Sequence, residues 1–203
     1  MNSKTYPLLA SLLAGVLIGY LLLPGGRIGS MMYGSYSPSG SQSGTGMSAG
    51  VDRHFIEQMI PHHEGAIAMA RIALERSSRP EIRQLAENII DSQSREIEQM
   101  RAWYLGWYGS EVPQDDLSLG GMMMGDGMHG GTDQDTSALS AATDVDREFL
   151  AQMIPHHQMA VMMARMLDAG TSRPEMKEFA ASISNDQSSE IRQMQSWYDA
   201  WYQ

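Results

Sequence analysis

Apolar side chains recur every three or four positions in two long stretches of the chain, one on each side of a glycine-rich segment. This period is typical of amphipathic α-helices, whereas no stretch alternates strictly as a half-buried strand does. The pattern therefore predicts an all-α protein. In the first stretch the apolar positions are Phe55, Met59, Ile60, Ala66, Ile67, Ala70 and Leu74, followed by Ile82, Leu85, Ile89, Ile97, Met100, Trp103 and Trp107.

Each stretch contains two helices with a short turn between them. Residues 77–79, Ser-Ser-Arg, interrupt the first apolar series, and Pro80 follows them as Pro174 does in the second stretch. Proline fits the first turn of a helix, where its missing N–H has no partner to lose. Asp52 and Asp146 are expected to act as N-caps of the first helices. Because short turns make neighbouring helices antiparallel, each stretch is predicted to be a helical hairpin.

The two hairpins are copies of one sequence. Residues 52–108 align with residues 146–202 without a gap, and roughly half of the positions are identical. A lone two-helix hairpin buries too little apolar surface, so the copies are expected to form one antiparallel four-helix bundle over residues 51–203. Within it we assign repeat one to 52–108, a Met- and Gly-rich linker to 109–143 and repeat two to 144–203.

The N-terminal residues are apolar and uncharged from position 7 to position 23. This length is at the lower edge of a membrane span and exceeds a typical signal-peptide core. We expect residues 1–24 to form an uncleaved signal anchor, with a cleaved signal peptide or a buried soluble helix as alternatives. Residues 25–50 are read as a flexible tether. Either signal would place the bundle in the periplasm or outside the cell, and an uncleaved one would hold it at the cytoplasmic membrane.

Composition narrows the function further. The net charge is −10, and basic residues are not clustered, so nucleic acid is not an expected partner. The chain has no cysteine, which excludes disulfides, thiolate zinc sites and a cysteine nucleophile. No other nucleophile or acid–base pair stands out, and no enzymatic activity is expected. The 18 methionines leave thioether sulfur as the soft ligand, which suits an oxidising compartment.

A Met-Ile-Pro-His-His motif, present in both repeats, is the strongest candidate for chemistry. Met59 lies three and four positions before His62 and His63, so all three share a side of a helix. A proline inside the helix removes one backbone hydrogen bond and can redirect these side chains. The alternative is that the methionines fill the core and the histidines are hydrogen-bonded there. The candidate ligands are Met59, His62, His63 and Met69 in repeat one, and Met153, His156, His157, Met159, Met162, Met163 and Met166 in repeat two.

The linker holds a second group of candidate ligands in a glycine-rich context, where no core is available to fill. Thioether and imidazole together favour Cu(I), with Ag(I) as its surrogate, while imidazole alone also admits Cu(II) or Zn(II). The expected cofactor is therefore copper. The linker candidates are Met122, Met123, Met124, Met128 and His129.

Two other interpretations remain open. A ferritin-like di-iron site needs Glu plus Glu-x-x-His on facing helices, but Glu64 follows the first His pair in the wrong order and is replaced by Gln158 in repeat two. Glu96 and Glu190 are then solvated acids or hydrogen-bond partners of a histidine. The other interpretation is a structural or partner-binding helical module without metal.

The two repeats resemble the domain-of-unknown-function 305 family through residues 59–71, 93–100, 153–165 and 187–194. These segments contain Met-Ile-Pro-His-His before an Ala/Met-rich helix, then Gln-x-x-Glu-Ile-x-x-Met before aromatic residues. The resemblance implies a ferritin-like four-helix bundle. It also implies a copper role, because an exported member of that family binds copper and supports copper resistance. We therefore expect a monomeric extracytoplasmic protein that binds copper, chiefly Cu(I), for sequestration, handover or resistance.

Overall fold

The computed structural model describes residues 43–113 and 132–203. These ranges are helical and contain no strand, which confirms the prediction of an all-α protein. The residues predicted to form the N-terminal anchor and the five linker ligands, residues 122–124, 128 and 129, lie outside the described ranges. No helix within the described ranges is long and apolar enough to cross a membrane. The helices are α1 (Ser43–Arg76), α2 (Pro80–Tyr108), α3 (Thr132–Ala141), α4 (Val145–Gly170) and α5 (Pro174–Tyr202).

The four long helices pack into one bundle. Helix α1 packs against α2, and α4 packs against α5, as expected for two hairpins, and α1 also packs against α4. Both clusters of buried apolar residues contain side chains from both repeats. In one cluster, for example, Phe55 of α1 contacts Phe179 of α5 edge-on. The two hairpins therefore share a core, as a single bundle requires.

The turn inside each hairpin is formed as the sequence predicts. Pro80 and Pro174 are the first residues of α2 and α5. The Ser77 hydroxyl accepts a hydrogen bond from the backbone N–H of Arg79 at 3.1 Å, and Thr171 accepts one from Arg173 at 3.1 Å. Side-chain hydroxyls that bond the backbone two residues onward are a common way of closing such a turn.

The prediction that Asp52 and Asp146 cap the first helices is wrong. The N-cap of α4 is Asp144, whose carboxylate accepts from a backbone N–H three residues onward at 3.0 Å. Asp52 is fully buried inside α1, and its Oδ2 lies 3.1 Å from Nε of Arg173. In the same way, Oδ2 of Asp146 lies 3.1 Å from Nε of Arg79, the residue before α2. These carboxylates connect the two repeats, so they are not available to cap their own helices.

Each of these arginines also lies over a tryptophan of the other repeat. The guanidinium of Arg173 is 4.0 Å from the ring centroid of Trp107, and that of Arg79 is 4.1 Å from the centroid of Trp201. A cation at this distance is attracted by the electron-rich face of the ring. We call the groups Asp52–Arg173–Trp107 and Asp146–Arg79–Trp201 the two inter-repeat clamps. Each clamp joins the turn of one hairpin to the open end of the other.

Two of the predicted segment boundaries differ from the structure. Helix α1 begins at Ser43, inside the predicted tether 25–50, and Asp52 lies within the helix, where it pairs with an arginine. Helix α3 occupies the end of the predicted linker 109–143. Its Leu139 is fully buried, and the guanidinium of Arg76 donates to three carbonyls at the end of α3 at 2.8 Å. Core packing and this cap stabilise a helix that periodicity alone did not reveal.

Candidate metal centre

Equivalent histidines of the two repeats meet where α1 packs against α4. The ring centroids of His62 and His156 are 3.8 Å apart, and the ring planes are inclined by 42°. The backbone is helical through Pro61 and Pro155, the residues directly before them. Each residue belongs to one copy of the Met-Ile-Pro-His-His motif. Only the packing of α1 on α4 brings the two side chains into contact.

Burial keeps both of these imidazoles neutral. It lowers the pKa of His62 to about 3, with smaller contributions from His63 and His157. It lowers the pKa of His156 to about 2, with further contributions from the other three histidines. Near neutral pH each ring therefore has one nitrogen with a lone pair, the form that can bind a metal. The Nδ1 atoms of His62 and His156 are buried and have no hydrogen-bond partner among the described residues.

The second histidine of each motif is fully buried and bonded to a glutamate of the same hairpin. Nε2 of His63 lies 2.6 Å from Oε2 of Glu96, and Nε2 of His157 lies 2.8 Å from Oε2 of Glu190. Their Nδ1 atoms are also buried, without a partner in the described part of the chain. Because His63 and His157 both help to lower the pKa of His62 and of His156, we treat the four rings as one four-histidine cluster, His62, His63, His156 and His157.

Further polar groups lie beside this cluster. Gln93 and Gln187 are buried one turn before the two glutamates, and their Oε1 atoms have no partner within the described ranges. Burial, followed by the charges of Glu96 and Glu190, raises the pKa of Asp186. Both glutamates are therefore close enough to one carboxyl group to interact with it. A concentration of acceptors and negative charge favours a bound cation.

The predicted methionine ligands fall into two groups by exposure. Met59 and Met153 are fully buried in the core clusters, and Met69 is buried as well. Their contacts are those of core-filling methionines. Met163 is half-buried and packs at the edge of one cluster. None of these contacts tests metal binding, so their role as ligands stays a prediction.

The remaining methionines of α4 lie at the surface. Met159, Met162 and Met166 are 38, 43 and 66% exposed, and their spacing of three and four positions places them on one side of the helix. We call them the α4 methionine row. Met162 and Met166 line an open groove of about 620 Å³ between α4 and α5, together with Arg165 and Arg192. Large apolar side chains that line up at a surface mark a binding function more often than isolated ones do.

The described residues contain no group of three or more His, Asp or Glu side chains placed to hold a metal ion. This arrangement gives no support to the di-iron alternative, which needs such a group. It also limits how the histidines can act. A zinc–nitrogen bond measures about 2.0–2.1 Å, so an ion in line between two imidazole nitrogens needs ring centroids farther apart than the 3.8 Å between His62 and His156. Metal binding between them would require the rings to rotate or separate.

The family described as domain of unknown function (DUF305) matches residues 52–198. The chain belongs to the DUF305 family. This confirms the resemblance drawn from the sequence. A DUF305 fragment from Deinococcus radiodurans has a solved structure with 33% identity and a TM-score of 0.59, covering 74% of this chain and 96% of that one.

Among solved structures, CopM in the Cu(I)-bound form is 46% identical, with a TM-score of 0.64 over 75% of this chain and 98% of CopM. CopM has also been solved with Cu(II), with silver and in the apo form. An uncharacterized protein, L153 of Acanthamoeba polyphaga mimivirus, is 43% identical over 51 residues, or 25% of this chain. The match spans about a third of the length of that curated relative.

Sequence reasoning found the four histidines but not their arrangement. It left Glu96 and Glu190 between a solvated role and a bond to histidine, and the structure shows the bond to histidine. The signal was present in the sequence, because each glutamate follows its histidine by 33 positions in both repeats.

Proposed function

We propose that this DUF305 protein binds copper outside the cytoplasm, chiefly as Cu(I), through methionine and histidine, for sequestration, handover or resistance. The observation that carries the proposal is the four-histidine cluster, in which four buried Nδ1 atoms have no partner among the described residues. The rings of His62 and His156 would rotate or separate to hold an ion between them. A buried polar atom without a partner destabilises the fold, so it calls for a bound water or ion. The 46% identity to CopM, solved with Cu(I), Cu(II) and silver, supports copper as that ion.

The ligand chemistry favours the reduced ion. Imidazole binds both oxidation states of copper, whereas thioether sulfur selects Cu(I). The α4 methionine row offers three thioethers that solvent can reach. Cu(I) can therefore bind the row without opening the bundle, while the buried histidines provide nitrogen ligands. Exchange with another copper carrier would occur at the row, because its sulfur atoms are the more accessible.

The proposed location rests on the N-terminal sequence and on composition. Residues 7–23 are apolar and uncharged, and the chain combines 18 methionines with no cysteine. Thioethers keep their affinity for copper in an oxidising compartment, where thiols are lost to disulfides. A reporter that is active only outside the cytoplasm, fused after residue 50, should be active in this orientation. Activity of a cytoplasmic reporter at the same position would contradict it.

The decisive experiment titrates the full chain with Cu(I) and Ag(I) against a chromophoric chelator and counts bound ions by native mass spectrometry. We expect the variant His62→Ala, His156→Ala and the variant Met159→Leu, Met162→Leu, Met166→Leu, which removes the row, each to bind fewer equivalents. Leucine roughly preserves the volume and apolarity of methionine, at a cost below about 1.5 kcal/mol. The methionine variant should therefore keep its fold, as circular dichroism would show.

A matched control replaces two buried methionines that are not candidate ligands, Met176→Leu and Met194→Leu. This control should bind as much metal as the parent. A parent chain that binds neither ion would overturn the proposal and leave the structural or partner-binding module. Unchanged binding by the methionine variant would show that the α4 methionine row does not bind the metal.

A further inference from the structure

A carboxylate bonds the same ring nitrogen of a buried histidine in both repeats. The two bonds measure 2.6 and 2.8 Å, and both join Nε2 to Oε2. We infer that Glu96 and Glu190 are positioning residues, which hold the Nε2 proton of His63 and His157 and so direct Nδ1 of each ring to the metal. The inference rests on the proposed copper-binding function and adds which nitrogen binds and what selects it.

The argument begins with the proton. An ionised carboxylate can only accept hydrogen bonds, so Nε2 must donate in both pairs. In a neutral imidazole the other nitrogen then carries the lone pair. That atom, Nδ1, is buried in both His63 and His157 and has no hydrogen-bond partner among the described residues. Each glutamate therefore leaves an inward lone pair available for a ligand.

The same arrangement is a recurring feature of metal sites. A histidine that binds a metal through one nitrogen usually donates the N–H of the other to a carboxylate or carbonyl. The bond fixes the ring orientation and increases the basicity of the coordinating nitrogen. Glu96 and Glu190 are also partly exposed, with 18 and 21% of their side chains accessible. Their carboxylates therefore remain in contact with solvent while the histidines are buried.

A purely structural role of the two histidine–glutamate pairs does not explain the unpartnered Nδ1 atoms. Each pair links the two helices of one hairpin, α1 to α2 and α4 to α5. Such a link would be complete if Nδ1 were satisfied too, but the Nδ1 atoms of His63 and His157 are buried and have no partner among the described residues. A buried lone pair without a partner is what a bound ion would use and what a simple link between helices does not need.

The tautomer can be read directly, without metal. Long-range 1H–15N correlation spectra of the full chain, labelled with 15N at histidine, separate protonated from unprotonated ring nitrogens. We expect His63 and His157 to have protonated Nε2 and unprotonated Nδ1. On addition of Ag(I), which is diamagnetic, the Nδ1 resonances should shift while the Nε2 protons are retained. A protonated Nδ1 in the apo protein would overturn the inference.

Affinity is the second readout. Glu96→Leu and Glu190→Leu remove the acceptor, and we expect each to weaken Cu(I) and Ag(I) binding about 10- to 100-fold, as losses of such supporting residues do. Glu96→Gln retains an oxygen acceptor and should recover part of this loss. Glu98→Leu and Glu178→Leu remove the same charge from exposed positions of α2 and α5, and they should bind as the parent does.

The outcomes separate the two proposals. A parent that binds no copper or silver overturns the proposed function, whatever the tautomers are. A parent that binds both ions, with Leu variants that bind equally well and remain folded, overturns this inference alone. Loss of binding with unchanged tautomers in the Leu variants would also contradict it, because the glutamates would then act through charge and not through the ring proton.

Discussion

The two repeats differ most on the outward faces of their first helices. Both contain the buried histidine–glutamate pair and contribute to the inter-repeat clamps. On α4, however, Met159, Met162 and Met166 are exposed, whereas the aligned positions of α1 are Gly65, Ala68 and Ile72, none of them exposed. Helix α3 also packs against α1. The duplicated part is thus the bundle and its histidines, and of the two repeats only the second has exposed thioethers.

This difference separates the histidines from the exposed methionines, which the sequence motif places side by side. The histidines come equally from both repeats and meet where α1 packs against α4, while the exposed methionines of the described residues lie on one surface of α4. Substitutions in the α4 methionine row can therefore change the surface of the bundle while the buried histidine cluster stays the same. The following predictions test how far the repeats are equivalent, beginning with the largest effect.

The clamps should contribute unequally to stability. Asp52 is fully buried, so Arg173→Met leaves an unpaired charge in the interior. Breaking a buried pair costs about 3 kcal/mol or more of the free energy of unfolding. Arg79→Met should cost on the order of 1 kcal/mol, because Arg79 and Asp146 are both more exposed than their counterparts. Urea unfolding followed by circular dichroism measures both. Equal losses would show that burial of the aspartate does not set the strength of a clamp.

Acid should destabilise the metal-free bundle through His62 and His156. Their folded pKa values, about 3 and about 2, lie below the unfolded value near 6.5. As the pH falls, the unfolded chain binds these protons first. The stability they contribute is complete above about pH 6.5 and is lost as the pH falls toward the folded values. One group contributes at most about 1.4 kcal/mol per pH unit, so the pair should lose roughly 2 kcal/mol between pH 6 and pH 5.

The control for this pH dependence is the variant His62→Gln, His156→Gln, which has no titrating group at either position. Its free energy of unfolding should fall less steeply between pH 6 and pH 5 than that of the parent. If both proteins show the same slope, the two imidazoles are not held neutral by the fold.

The methionine row should be transferable between repeats. Ala68→Met and Ile72→Met place thioethers on α1 at the positions aligned with Met162 and Met166. Introduced into a chain whose own row is replaced by leucine, they should raise Ag(I) affinity about tenfold, equal to about 1.4 kcal/mol. Competition titration measures the change. If the transplant gains nothing, binding also requires the exposure of the row on α4 or its groove with Arg165 and Arg192.

The smallest expected difference concerns one pair of aligned tyrosines. The hydroxyl of Tyr104 donates to Glu57 at 2.6 Å and accepts from Arg53 at 3.0 Å, in a fully buried position. The hydroxyl of Tyr198 accepts a hydrogen bond from Arg147 at 3.5 Å, and Tyr198 is half-buried. Tyr104→Phe should cost about 1 kcal/mol, typical of a lost hydrogen bond, and Tyr198→Phe less than half of that. Thermal denaturation of both variants compares them, and a larger cost at Tyr198 would contradict the ranking.

The sequence predicted local structure better than contacts between distant residues. Helical periodicity and the position of Pro80 identified the hairpins, because these signals depend on neighbouring residues. The role of Asp52 could not be found in this way, since its partner Arg173 is 121 positions away. The exposure of Met159, Met162 and Met166 was equally hidden, because a methionine stripe looks the same whether it faces the core or solvent. The glutamate partners of His63 and His157 could be predicted only with the relative register of the two helices of each hairpin.

The contact between His62 and His156 has a further consequence. A residue that touches its own equivalent lies on a twofold axis, and an interface built around such an axis is isologous. Two separate hairpins with this sequence would meet as a homodimer, in which every substitution appears on both sides. Joining them in one chain removes that constraint. One half is free to acquire a methionine row while the other half has Gly65, Ala68 and Ile72 at the same positions. His62 and His156 remain in contact on the axis.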